Sequence, residues 1–194
     1  MMNENNGFYV FLNAICEISK YEFDKSISLF ELKTLKKSEI WVDYNKVCGE
    51  MAYINNGLLR TMYIDDKGNE VTSCFCLRNS MASSFKSFIS QTPSHQRIEA
   101  LENTDLLVIR YDSLQKLYRD VPVWERIGRI LMEKEYVSLW NYAYSLNTEQ
   151  AHDRYIRLIK NQPEVVQKAP VQSIASYLGI SRETLSRIRK KIIQ

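Results

Sequence analysis

Arg182, Glu183, Ser186, Arg187, Arg189, Lys190 and Lys191 are spaced to share the outer side of one helix. Such a face offers guanidinium forks with paired donors, one carboxylate acceptor, a hydroxyl and mobile ammonium groups. That set suits phosphate oxygens and base edges. The preceding residues supply the scaffold this helix needs. Counting Val171 as position one, apolar residues fall at four, eight, ten, fifteen and eighteen: Ile174, Leu178, Ile180, Leu185 and Ile188. Two short helices crossing steeply need apolar contacts at those places. Ala175 is small enough to let the helices approach. Gly179 stands where the chain must leave the first helix through a left-handed conformation, which glycine adopts without steric cost. Ser181 can cap the second helix by accepting from its free amide N–H groups.

An amphipathic hairpin with a merely solvated charged face accounts for any one of these features. Their joint occurrence favours a helix-turn-helix that enters a DNA groove. Charge is distributed accordingly. The chain of 194 residues carries +3 overall. Residues 171–194 hold five basic side chains and one acidic, leaving 21 basic and 22 acidic elsewhere. The basic excess therefore sits where a polyanion would be met.

Other chemistries find little support. Cys16, Cys48, Cys74 and Cys76 form no Cys-x-x-Cys, and His95 and His152 are the only histidines. A metal or iron–sulfur cofactor is not expected. The cysteines read as buried thiols, which pack like small hydrophobes. No serine–histidine–acid set, paired-carboxylate motif or glycine-rich phosphate loop is visible, so the chain does not read as an enzyme. There is no run of about twenty apolar residues and no signal-peptide pattern at the start, which points to the cytoplasm rather than a membrane.

The elements that must carry this face read as follows. Residues 7–33 space Phe11, Ile15, Ile18, Phe23, Ile27, Phe30 and Leu32 as short helices, with Leu35 following the same spacing. Residues 39–43, 50–54, 58–64 and 71–77 read as strands, with 101–110 supplying one more turn and strand. Turn clusters at 55–57 and 65–69 separate them, and short strands at this spacing suggest an antiparallel barrel or sandwich. After Pro122 the period becomes helical for about 25 residues. Val123, Ile127, Ile130, Val137 and Tyr144 fall on a heptad seam with Lys134 and Asn141 at the intervening positions, as expected of a dimer helix. Trp124, Leu131 and Leu139 lie off the seam and are expected to pack on the barrel. A further helix over 148–161, capped by Asn147 and ended by Pro163, leads to the helix-turn-helix.

With these parts in order, the chain resembles the Crp/Fnr family, in a compact form with a degenerate nucleotide site. The resemblance rests on residues 174–189, on Lys36-Lys-Ser-Glu39, and on segments 53–60 and 63–70. It implies an α+β fold: an N-terminal antiparallel β-roll of the cyclic-nucleotide-binding type, a long dimerisation helix at about 122–146, and a C-terminal helix-turn-helix. The first unit would span 1–146. The second, 147–194, would be winged-helix-like and stop after the recognition helix. The family's Arg-Glu-Thr-x-x-Arg pattern is intact in Arg182, Glu183, Thr184 and Arg187. By resemblance, Arg182 and Arg187 reach guanine edges or phosphates, Glu183 accepts from a cytosine amine, and Ser181 and Thr184 touch phosphate.

The effector pocket departs from the family. Where cyclic-nucleotide binders carry a Gly-Glu pair for the ribose, this chain aligns Ser83 and Ser84. Where they carry an arginine pair for the cyclic phosphate, it aligns Ser94 and His95, with Arg97 nearby. The family's cysteine cluster is missing too. The implied partners are double-stranded DNA, a second copy of the chain and RNA polymerase; the β-roll either senses an unidentified small-molecule effector other than cyclic AMP or serves only as a scaffold. The alternative is a sensor or protein-interaction module whose helix-turn-helix does not read DNA.

Overall fold

A computed structural model describes residues 4–193. Two short helices open the chain, α1 (Glu4–Asn13) and α2 (Lys20–Ile27). The second starts in a capping box: Ser19 Oγ accepts from the Glu22 N–H, and the Glu22 carboxylate accepts from the Ser19 N–H. Among the described residues, eight strands then form two four-stranded antiparallel sheets. They are β1 (Phe30–Leu35), β2 (Ile40–Val42), β3 (Glu50–Asn56), β4 (Leu58–Ile64), β5 (Glu70–Leu77), β6 (Met81–Ala82), β7 (Arg97–Ala100) and β8 (Thr104–Arg110). One sheet runs β1-β8-β3-β6 and the other β2-β7-β4-β5. A short helix, α3 (Phe85–Ser90), lies between β6 and β7, and α4 (Tyr111–Asp120) follows β8.

The strands expected from sequence are present, with one reassignment. Residues 30–35 form a strand, not the end of a helix: β1 pairs with β8 from Phe30↔Ile109 to Leu35↔Thr104. Its ends are buried while Leu32 is exposed, so its apolar spacing mimicked a helix. The two turn clusters also differ in kind. Residues 65–69 close a true β4–β5 hairpin, with Ile64 opposite Glu70. Gly57 instead turns the chain from one sheet into the other. Its φ is +109°, and an added Cβ would lie 2.7 Å from the Thr104 Cα, so only glycine fits.

Five more helices follow: α5 (Val123–Thr148), α6 (Ala151–Asn161), α7 (Pro163–Lys168), α8 (Val171–Tyr177) and α9 (Arg182–Ile193). The expected start of α6 at Thr148 is corrected. Asn147 and Thr148 belong to α5, where their side chains donate to the carbonyls of Ala143 and Tyr144. Pro163 occupies the first position of α7, where its missing N–H costs nothing.

Two cores result. In the first, Phe8 of α1 packs edge-on or tilted among Phe30, Tyr53 and Trp124, with ring centroids 5.1, 4.9 and 6.3 Å away. Ile127 of α5 is completely buried there. The second core gathers Tyr155, Leu158, Val165, Ile174, Leu185 and Ile188 around Leu58 and Phe75 of the roll. The helix-turn-helix is thus packed against β4 and β5.

Candidate nucleic-acid interface and effector pocket

The turn between α8 and α9 is built as its sequence suggests. The Ile180 N–H donates to the Ala175 carbonyl and the Gly179 N–H to that of Ser176, both at 3.0 Å. This pair of bonds is a Schellman termination, and Gly179 holds the left-handed position with φ +67°. Ala175 is fully buried. Ser181 Oγ accepts from the Thr184 N–H at 3.2 Å and so caps α9. Ile174, Leu178, Leu185 and Ile188 are buried between the helices and Ile180 packs beside them.

The opposite side of α9 is open. Ser181, Arg182, Glu183, Ser186, Arg187, Lys190 and Lys191 are exposed. Arg187 donates to Thr184 Oγ1 at 3.0 Å, which aims its guanidinium along the helix. The backbone N–H of Glu183 and the Ser181 hydroxyl hold the Glu183 carboxyl below its ordinary range, so it stays an acceptor. Arg189 departs from the expected outward position. Its Nε donates to the Tyr155 hydroxyl at 3.0 Å and its guanidinium lies over that ring, so it fastens α9 to α6.

Sequence reasoning missed how the unit is seated. Arg154 is buried at the junction, donating to the carbonyls of Leu178, Ser145 and Glu149. Ser176 Oγ accepts from the Thr72 N–H at 2.9 Å and donates to the Glu70 carbonyl. The Tyr142 ring stacks on Tyr177 at 5.0 Å, and its hydroxyl donates to the Tyr177 carbonyl. Burial pushes the Tyr177 phenol up to about 12. Arg154 shares the apolar face of α6 with Ala151, Tyr155 and Leu158, and that placement was the signal available for the first of these contacts.

The seam of α5 divides. Ile127 is buried within its own chain, with Val123 and Ile130 packed beside it. Lys134, Val137, Asn141 and Tyr144 are exposed. Trp124 and Leu131 pack on the roll as expected, but Leu139 does not and is 63% exposed. Tyr136, Val137, Trp140 and Tyr144 join it on an open apolar stretch, and the Trp140 and Tyr144 rings stack at 5.1 Å.

The roll holds an open cleft of about 680 Å³. Ser84, Ser94 and His95 line it, whereas Ser83 and Arg97 are turned elsewhere. Ser83 Oγ donates to the Glu50 carbonyl. Arg97 is claimed by Asp43 at 2.9 Å and covers the Tyr44 ring. The buried Ser84 and Ser94 hydroxyls bond to each other at 2.8 Å. Tyr44, Tyr63 and Lys86 also face the cleft and were not anticipated. Among the described residues no cluster of three metal-ligating side chains occurs, and no helix is long and apolar enough to cross a membrane.

No protein-family model matches the sequence, and no curated protein does either. Solved structures do match. The c-di-GMP responsive global regulator CLP of Xanthomonas campestris superposes with TM-score 0.71 at 17% identity, over 90% of this chain and 91% of that one. A transcriptional regulator of the Crp/Fnr family from Eubacterium rectale gives 0.70 at 18%, over 90% and 83%. A cyclic nucleotide-binding domain from Methylobacillus flagellatus gives 0.64 at 14%, over 72% and 80%. At such identities the likeness establishes a shared fold. The β-roll, long helix and helix-turn-helix have the architecture of Crp/Fnr-type regulators.

Proposed function

We propose that the chain is a cytoplasmic transcription regulator that binds a pseudo-palindromic DNA site as a homodimer. One observation carries this reading: Arg182, Glu183, Ser186 and Arg187 stand exposed on a helix whose other face is locked against α8. A helix presented this way fits the major groove by its N-terminal turns. Arg182 and Arg187 are assigned to guanine edges or phosphates and Glu183 to a cytosine amine. Ser181, Thr184, Lys190 and Lys191 are assigned to the phosphate backbone, and Arg189 is left to its structural contact with Tyr155.

Two recognition helices must meet grooves about 34 Å apart, which requires a second copy. The exposed part of α5, from Lys134 to Tyr144, supports that pairing. On this reading the expected units, 1–146 and 147–194, meet near the end of α5, which runs to Thr148. The cleft of the roll lacks both the ribose carboxylate and a free arginine, which supports a regulator that does not answer to cyclic AMP. RNA polymerase is a further partner on this reading.

Selection of bound duplexes from a random pool, followed by gel-shift titration, tests the proposal. Arg187→Ala should cost about 1–3 kcal/mol per half-site on the selected sequence and relax base preference there. Lys191→Ala should weaken all sequences alike and reduce the salt dependence. Equal affinity of Arg187→Ala and wild type for the selected site would overturn the assignment of this face.

A further inference from the structure

A second cavity lies on the other side of α3 from the open cleft. Lys86 and Ser87 face the cleft, whereas Phe88 and Ile89 face the cavity. It measures about 200 Å³ and is bounded by α1, α3, α4, the first turns of α5 and the first sheet, with a mouth at the surface. Phe8, Phe30, Trp124, Ile127 and Leu131 make its walls almost entirely apolar. Folded interiors are close-packed, and voids larger than a water molecule are few. An apolar cavity of this kind stays dry and takes apolar guests. About 150 Å³ accepts benzene, so this one has room for a fused bicycle of roughly ten non-hydrogen atoms.

One wall is not apolar. Tyr111, Gln115 and Tyr118 follow one another at helical spacing on α4, all half-buried and all lining the cavity. Gln115 marks the mouth together with Ile89, which is 59% exposed. Burial pushes the Tyr118 phenol up, so at neutral pH it remains an O–H donor. Gly128 lets that ring in: a Cβ there would stand 3.0 Å from Tyr118 Cζ. The lining holds no arginine, lysine or histidine, and no carboxylate. An ionised guest would therefore lie unpaired, which excludes anions and cations alike.

We infer that this cavity is a binding site for a small neutral aromatic molecule, a fused bicycle carrying one hydrogen-bonding group. The apolar body lies against Phe8, Phe30 and Trp124, and the polar group meets Tyr118 and Gln115 at the mouth. The site is separate from the open cleft and does not depend on DNA binding.

Calorimetric titration of the full chain with indole, 1-naphthol and naphthalene tests the inference, with Trp124 emission as a second signal. Wild type should bind indole and 1-naphthol at one site per chain with Kd near 100 μM or tighter, equivalent to about −5.5 kcal/mol. Leu131→Trp, which fills the cavity, should weaken both at least tenfold. Tyr118→Phe should weaken 1-naphthol several-fold and leave naphthalene unchanged. It also keeps the test decisive if the filled variant fails to fold. Absence of saturable binding of both polar probes up to 1 mM overturns the inference. Binding that neither substitution alters overturns it as well, because the probes would then sit elsewhere.

Discussion

Replacing Arg154 by methionine should loosen the seat of the helix-turn-helix by an amount the geometry fixes. The guanidinium donates to the Leu178 carbonyl through Nε at 3.2 Å and Nη2 at 2.8 Å, and to those of Ser145 and Glu149 through Nη1. Ser145 keeps a partner without it, because its carbonyl also accepts from the Glu149 N–H. The carbonyls of Leu178 and Glu149 do not, and both lie at helix ends where no intrahelical donor remains. Each buried acceptor left bare costs about 1–3 kcal/mol. Methionine fills most of the volume of the arginine stem, so the cavity contribution is small. Relief from burying the charge offsets part of the loss, which leaves about 3 kcal/mol. For a chain of this size that lowers Tm by roughly 6–12 °C, at 2–4 °C per kcal/mol. Arg154→Lys, which can reach only one carbonyl at a time, should fall about midway. Thermal unfolding followed by circular dichroism gives the shift directly. A methionine variant melting within 2 °C of wild type would refute the reasoning, since it would show that water satisfies those carbonyls equally well.

Three other outcomes are expected. Val137→Asp or Trp140→Glu on the exposed part of α5 should yield a monomer in sedimentation with Tm nearly unchanged, whereas Ile127→Asp should unfold the roll itself; a wild-type chain that sediments as a monomer at micromolar concentration, with or without DNA, would sink the dimer. Burial raises the pKa of the Tyr177 phenol in the folded state, so its contribution to stability is complete below pH 10 and is lost as pH climbs towards 12, at about 1.4 kcal/mol per pH unit. Tyr177→Phe should flatten that decline in denaturant titrations run across this window, and an unchanged slope would contradict it. Cyclic AMP should show no saturable calorimetric binding tighter than about 10 μM; tighter binding abolished by Lys86→Ala would mean the cleft has been rebuilt around that lysine.

The helix-turn-helix was legible because its determinants are local. The cap at Ser181, the glycine at 179 and the spacing of Ile174, Leu178, Leu185 and Ile188 all lie within twenty residues, and each makes the contact its chemistry implies. The elements that escaped notice depend on distant partners. β1 leaves Glu31, Leu32 and Thr34 exposed, so its apolar pattern cannot reveal pairing with β8 some seventy residues away. β6 has two residues and β7 four, too short for any period to register. Arg97 was placed near the effector pocket by alignment, yet Asp43, 54 residues earlier, holds it. The seam of α5 failed in a third way. Its stripe is continuous in sequence, but the roll covers only the first two turns, and periodicity cannot say where a covering surface ends.

That uneven legibility bears on how a signal could cross the molecule. The β4–β5 hairpin, which the sequence did reveal, touches both ends of the problem. Tyr63 and Ile64 line the open cleft, and Thr72, paired opposite Met62, holds Ser176 of α8. Phase along the hairpin is fixed by its register, because a slip of one residue would turn Tyr63 out of the cleft. The hairpin therefore joins the cleft to the seat of α8, and through α8 to α9. A ligand in the cleft shifts that seat only by the difference in its affinity for two hairpin positions. Tyr44, Tyr63 and Lys86 line the cleft where such a ligand would lie, and none of them belongs to the family's nucleotide-binding pairs. On the proposed function, a ligand in the cleft would act on DNA binding through this hairpin, with no cyclic phosphate held.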